Sequence, residues 1–178
     1  MEVWQEILED EEAGAKRLVA EYKDRLTAAA RYLVRDDSEA EDLVFRTFIQ
    51  AIQHIREHRP ESSFYGWLHA ILLNFCRSVL RKEAKSPIVT TPDIPDVADD
   101  GKSAPEQLVL KSDIHLLRLA IVDLPLMMRE VIVLRYFEEL TLDEIARIVE
   151  APVGTVKSRL FEAKRVLCGL LQSKYHVK

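Results

Sequence analysis

The stretch Thr141 to Arg165, TLDEIARIVEAPVGTVKSRLFEAKR, constrains the fold more than any other part of the chain. Thr141 and Glu144 stand three residues apart, the spacing of a capping box in which hydroxyl and carboxylate each accept from the other residue's backbone N–H. Ile145, Ala146 and Val149 give the helix that starts there an apolar side. Glu150 and Ala151 make a short turn, and Pro152, which lacks an N–H, suits the first turn of a second helix. In that helix Val156, Leu160, Ala163, Leu167 and Leu170 recur at helical spacing and should face a core. Its other side carries Gly154, Thr155, Lys157, Ser158, Phe161 and Arg165, which are mostly small, hydroxylated or basic. The pattern predicts a helix-turn-helix whose outer face suits the major groove of DNA, where such groups meet base edges and phosphates.

Residues 86–105, SPIVTTPDIPDVADDGKSAP, hold four of the seven prolines and four aspartates, with no amphipathic period. They read as an extended, flexible, acidic linker. It separates an N-terminal domain, 1–85, from a C-terminal domain, 106–178, and both read as helical. The expected fold is all-α: two small helical domains joined by that linker, the second a four-helix unit ending in the helix-turn-helix.

In the N-terminal domain a helical pattern runs from Ala13 to Val34, with Leu18, Tyr22, Leu26, Ala29 and Leu33 on one side. Ser38 is expected to cap a second helix that continues to about Ile55, with Ala40, Leu43, Val44, Thr47, Phe48 and Ala51 turned inward. Asp42, Phe45, Arg46, Ile49 and Gln53 fall on its other side. After a loop around Pro60, a third helix runs from about Phe64 to Lys82. On it Asn74, Arg77, Ser78 and Arg81 share one stripe, since they stand at i, i+3, i+4 and i+7. An amide, a hydroxyl and two guanidiniums in line suit phosphates and base edges, and equally suit the solvated face of a helical bundle. In the C-terminal domain Leu108 to Leu124 is amphipathic, and Pro125 opens a helix that includes Val131, Ile132, Leu134 and Tyr136.

The net charge of −5 runs against nucleic-acid binding, but its distribution does not. Residues 1–12 hold six acids and no base, whereas residues 152–178 hold six Lys or Arg and one acid. Arg77, Arg81, Lys82 and Lys85 make a second basic patch. Repulsion from the acidic parts, including Glu138, Glu139, Asp143 and Glu144 beside the helix-turn-helix, should weaken unaided DNA binding, so a partner is expected to help. Cys76 and Cys168 are far apart with no CxxC, consistent with a reducing cytoplasm. No apolar run is long enough to span a membrane, and the acidic start is not expected to be a signal peptide.

Three stretches then align with one family: AEDLVFRTFIQAI at 40–52, SFYGWLHAILLNFCRSVLRK at 63–82 and LPLMMREVIVLRYFEELTLDEIARIVEAPVGTVKSRL at 124–160, with APEQLVL at 104–110 also fitting. In order and gap they resemble the bacterial extracytoplasmic-function sigma factors, the sigma-E-like class of the sigma-70 family of RNA polymerase subunits. The resemblance implies a cytoplasmic, non-enzymatic protein without a cofactor that directs core RNA polymerase to promoters. Its N-terminal domain would bind the polymerase clamp, through Asp42, Phe45, Arg46 and Ile49. The same domain would melt the −10 element, through Phe64, Asn74, Arg77, Ser78 and Arg81. Its C-terminal domain would bind the polymerase flap and read the −35 duplex through Gly154, Thr155, Lys157, Ser158, Arg159, Phe161 and Arg165. An anti-sigma factor is a possible further partner. This chain departs from the family's usual residues at Phe45 and Arg46, where Gln and an acid are common, and at Ser78, where Asp or Asn is common. Glu162 stands where close relatives often have a base.

Two other readings compete. A stand-alone helix-turn-helix regulator would need the same recognition helix and would usually dimerise on a palindrome. The run His54 to His58 fits HxxEH, an inverted zinc-protease motif, but it ends just before Arg59-Pro60 and has no distal carboxylate ligand to complete it. Phe161 can meet a base or thymine methyl, the flap or the core, and Trp67 reads as a core residue.

Overall fold

The structure is a computed structural model that describes residues 2–58, 63–83 and 105–173, with side chains from 113 onward in the last span. The expected linker lies largely outside the described residues. Among those residues every regular element is helical. The N-terminal domain consists of α1 (Val3–Glu9), α2 (Glu11–Leu33), α3 (Asp37–Gln53), a single 3-10 turn (Ile55–Glu57) and α4 (Phe64–Glu83). The C-terminal domain consists of α5 (Pro105–Val122), α6 (Leu126–Ile132), a π turn (Val133–Phe137), α7 (Leu142–Ile148) and α8 (Val153–Ser173).

Local chemistry sets most of these boundaries. Asp10 caps α2 by accepting from the Ala13 N–H at 3.1 Å, and Glu11 and Glu12 add negative charge at the positive helix end. Asp36, rather than Ser38, caps α3, accepting from the Glu39 N–H at 2.7 Å. The helix therefore starts before Ser38, which sits exposed in its first turn. The capping box of α7 forms as expected: the Glu144 N–H donates to the Thr141 hydroxyl at 3.3 Å and the Thr141 N–H to the Glu144 carboxylate at 2.8 Å. Pro125 precedes α6, where its missing N–H is not needed. Helix α1 has no counterpart in the sequence reading, because seven residues rich in acid carry little periodicity. It lies against α2 at Gly14, where a Cβ would stand 2.5 Å from the Ile7 backbone nitrogen. Only glycine admits that close a crossing of two helices.

The buried apolar residues of both domains form one continuous cluster, from Val3 and Leu18 through Leu43 and Leu72 to Leu134, Ile145 and Leu160. The C-terminal domain docks on α2 and α4: α2 touches α5, α6 and the π turn, and α4 touches α7. Polar groups key this seam. Arg35 meets Asp123 at 2.7 Å, and Arg118 pairs with Asp37 while donating to the Arg31 carbonyl at 2.8 Å. Arg129 is buried, and among the described residues no carboxylate is bonded to it. Its guanidinium donates to the carbonyls of Leu33 at the end of α2 and of Val122 at the end of α5, and to that of Leu124 at 2.9 Å. Helix C-termini present unsatisfied carbonyls with partial negative charge, so a buried cation finds partners there. Burial pushes the Arg129 guanidinium down to about 10, with repulsion from Arg35 adding to it, which leaves it charged at neutral pH.

Replacing Arg129 by Met keeps the volume and strips three carbonyls of their donor. The variant is expected to weaken docking by about 1–3 kcal/mol, the cost of leaving buried polar groups unpaired. Small-angle X-ray scattering checks this: the radius of gyration should rise while far-UV circular dichroism stays unchanged. An unchanged scattering profile would show that Arg129 does not hold the domains together.

Candidate nucleic-acid interface

Helix α8 presents the expected split. Val156, Leu160 and Ala163 are buried, and Leu167 and Leu170 are half-buried against the core. Gly154, Lys157, Ser158, Phe161 and Arg165 are exposed, with Thr155 and Arg159 at the margin. Phe161 is 73% exposed, which removes the core reading and leaves a base or protein contact. A Cβ on Gly154 would meet nothing within 4 Å, so glycine there leaves room for an approaching molecule and fills no need of the fold. The Ser158 hydroxyl donates to the Gly154 carbonyl at 3.0 Å, and Arg165 is engaged by Glu162 one turn back. That pair holds the guanidinium along the helix and adds a carboxylate to an otherwise basic face. Glu150, in the turn between α7 and α8, takes the left-handed conformation with φ of 53°, which fixes the angle between the two helices.

The second predicted surface is divided. Asn74, Ser78 and Arg81 are exposed on α4. Arg77 is not free: its Nε and Nη2 donate to the two oxygens of Glu130 at 2.7 and 2.9 Å, and Glu130 is 1% exposed. Phe64, expected among the −10 contacts, does not reach the surface. It is 7% exposed and lies among Tyr22, His58 and Trp67, with ring centroids 5.9, 5.1 and 5.8 Å away. The first residue of an α-helix that enters a packed aromatic cluster becomes core, and ten residues of helix place it about 15 Å along α4 from Asn74. Trp67 joins the same cluster, half-buried, as expected of a packing residue.

A third surface lies on α3. Phe45 is 62% exposed and Ile49 is exposed beside it, an apolar pair with no partner among the described residues. Arg46 reaches Asp42 at 3.7 Å and lies 4.5 Å above the ring of Phe75, so its stem and charge are held against the surface. The histidines of the HxxEH run diverge. His54 pairs with Glu57 at 2.7 Å, whereas His58 is buried edge-on against Trp4. Helix α3 ends before them, so they do not share one helical face.

Residues 18–86 match the family described as Sigma-70 region 2, and residues 114–167 match Sigma-70, region 4. The RNA polymerase sigma-H factor of Pseudomonas aeruginosa is 30% identical over 184 residues, covering 94% of this chain and 93% of that protein. The chain belongs to the sigma-70 family, in its extracytoplasmic-function group. An extracytoplasmic-function sigma-E factor of Haemophilus influenzae is also 30% identical, over 94% of this chain and 95% of its own length. Among solved structures, the sigma factor RpoE of Bartonella quintana, in complex with the anti-sigma factor NepR, superposes with a TM-score of 0.70 at 25% identity, over 89% of this chain and 96% of that one. CnrH, in complex with the cytosolic domain of CnrY, superposes with a TM-score of 0.68 at 23% identity over 96% of each chain.

This sigma factor therefore directs promoter-specific initiation by RNA polymerase, and a stand-alone regulator is not favoured. Sequence reasoning missed the role of Glu138. It reads as a surface acid that repels phosphate, but the π turn carries it inward, where its carboxylate accepts from the Tyr65 hydroxyl at 2.7 Å and from Arg25 at 3.1 Å. Burial works against its charge, yet contact and charge from His69, with Tyr65 and Arg25, hold the carboxylate below its usual range. No local pattern signals a π turn, since its wider hydrogen bonds, such as the Glu138 N–H to the Val133 carbonyl at 3.2 Å, are set by packing.

Proposed function

We propose that residues 1–85 act as the clamp-binding and −10-melting domain and residues 106–178 as the flap-binding and −35-reading domain. The observation that carries this reading is the exposed face of α8, where Lys157, Ser158 and Phe161 project from a helix whose other side is locked into the core. A rigid recognition helix inserts into a major groove without reordering, and Arg159 and Arg165 flank it for phosphates. On α4, Asn74, Arg77, Ser78 and Arg81 would receive the melted strand of the −10 element. The exposed pair Phe45 and Ile49, with Asp42 and Arg46 beside it, would seat the clamp. We place the protein in the cytoplasm with its polymerase, without enzymatic activity of its own. Among the described residues no helix is long and apolar enough to cross a membrane.

The docked chain cannot do both jobs at once. Elements named −10 and −35 stand about 25 base pairs apart, roughly 85 Å at 3.4 Å each. A compact chain of 178 residues has a radius of gyration near 16 Å and so a diameter of roughly 40 Å. The two domains must separate on polymerase, and residues 84–104 supply up to about 70 Å of reach. An anti-sigma protein that grips both domains would keep them together. A cleft of about 160 Å³ between α4 and α7, lined by Gly66, Trp67, Ala70, Leu140 and Ile148, lies at the seam for such a partner.

Two outcomes test the assignments. Lys157→Ala and Arg159→Ala should each weaken binding of the holoenzyme to promoter duplex. A lost phosphate contact lowers the slope of log K against log salt by roughly one on every sequence, whereas a lost base contact relaxes one position of the −35 element. Wild-type run-off transcription by both variants across salt concentrations would show that α8 is not the reading helix. Asn74→Ala should reduce permanganate reactivity of the −10 thymines on duplex promoter more than it reduces binding to a pre-melted template. Equal defects on both templates would mean that Asn74 acts only in binding the strand.

A further inference from the structure

Glu162 is the one acid in α8, whose other charged residues are Lys157, Arg159, Lys164 and Arg165. It lies within the open face of the helix. At about 100° per residue, Glu162 stands about 40° round the helix from Ser158, and Phe161 about 60° away on the other side. The buried Val156, Leu160 and Ala163 point the opposite way. The Arg165 guanidinium holds the carboxylate in this face: its Nε donates to one oxygen at 3.1 Å and its Nη2 to the other. That contact keeps the Glu162 carboxyl below its usual range, so it is ionised at neutral pH. The pair adds little to stability, because both side chains meet solvent, at 39% and 68% exposure.

A carboxylate in this place accepts few partners. It has acceptor lone pairs and no donor, and phosphates repel it, so inside a groove it is stable only against a donor. In the major groove guanine offers two acceptors, and thymine an acceptor and a methyl group. Adenine offers a donor beside the N7 acceptor, and cytosine a donor alone. The amino group of cytosine is therefore the base edge that meets Glu162 without repulsion. Each oxygen gives Arg165 one lone pair and keeps another for a base. The Ser158 hydroxyl, one turn back, favours the same kind of edge. Its proton is already donated to the Gly154 carbonyl at 3.0 Å, which leaves the oxygen as an acceptor.

We propose that Glu162 is a specificity-determining residue of the −35 contact: held by Arg165, its carboxylate accepts from the exocyclic amine of a cytosine and rejects the other three bases at that position. Among the described residues the Nη1 of Arg165 makes no hydrogen bond, so the pair has a donor left for a flanking phosphate. The inference rests on the reading of α8 as the −35 helix and adds a residue and a base to it. A carboxylate that only lowers affinity is the competing role. That role needs no fixed orientation, whereas Glu162 is gripped through both oxygens.

The test uses the full chain bound to core RNA polymerase and a library of promoter duplexes randomised across the −35 element. Selection by the wild-type holoenzyme should enrich cytosine at one position. Glu162→Gln keeps the shape but presents a donor and an acceptor, the match for N6 and N7 of adenine, and should move that position from cytosine to adenine. Glu162→Ala should leave the position without a preference, a loss of at least about fivefold in discrimination. The other positions should keep their profiles. If E162Q and E162A select the same sequences as the wild type, the proposal fails. It fails also if E162A alters only a position where the wild type selects a base other than cytosine. A uniform gain in affinity on all sequences would mark the carboxylate as a repellent of phosphate only, and overturns the proposal too. Lys157→Ala, Ser158→Ala and Phe161→Ala separate these failures from that of the underlying reading. If they relax positions of the −35 element and the Glu162 variants do not, α8 remains the reading helix without Glu162 as a reader. If none of the five substitutions alters any position, the reading of α8 falls as well.

Discussion

A buried guanidinium with carbonyls as its partners holds this molecule in the form described. Arg129 ties the end of α2 in one domain to the end of α5 in the other, and the groups it satisfies are those that helices leave over at their C-termini. The arrangement is conditional. Those carbonyls and the guanidinium can all be solvated once the domains part, so the seam has polar keys that water can replace. Apolar contacts cross it as well, such as Tyr32 against Phe137 with centroids 4.0 Å apart, within the one cluster that the buried residues of both domains form.

The docked form divides the functional surfaces unequally. The exposed face of α8 and the apolar pair Phe45 and Ile49 on α3 stay open to solvent. Arg77 on α4 and the Arg25–Tyr65–His69 cluster are each occupied by a glutamate of the other domain. Two of the chain's glutamates, Glu130 and Glu138, are paired with Arg77 and Arg25 of the N-terminal domain.

Local pattern revealed the elements and the family but not the seam. The helix-turn-helix was legible because Thr141, Glu144 and the apolar positions of α8 act within one or two turns. The divided face of α8 was legible for the same reason. Phe64 reads as a −10 contact only because the sequence does not show that Tyr22, His58 and Trp67 close around it. Ser38 was misread as a cap because Asp36, two residues earlier, offers a better acceptor to the same turn. Glu138 was misread as a surface charge because the π turn that rotates it inward is imposed by tertiary packing. Its partners Arg25, Tyr65 and His69 lie 69 to 113 residues away. Long-range polar pairing leaves no periodic trace, so the contacts that restrain the protein were the ones the sequence concealed.

The central claim is that the free protein is docked and that polymerase parts its domains. Cys168 is exposed on α8 and Cys76 is buried, so a Ser38→Cys variant carries one accessible thiol on each domain. Energy transfer between dyes on positions 38 and 168 reports their separation directly. The account predicts high transfer in the free chain and a large drop on addition of core RNA polymerase. Low transfer in the free chain, or transfer that core polymerase leaves unchanged, would contradict it.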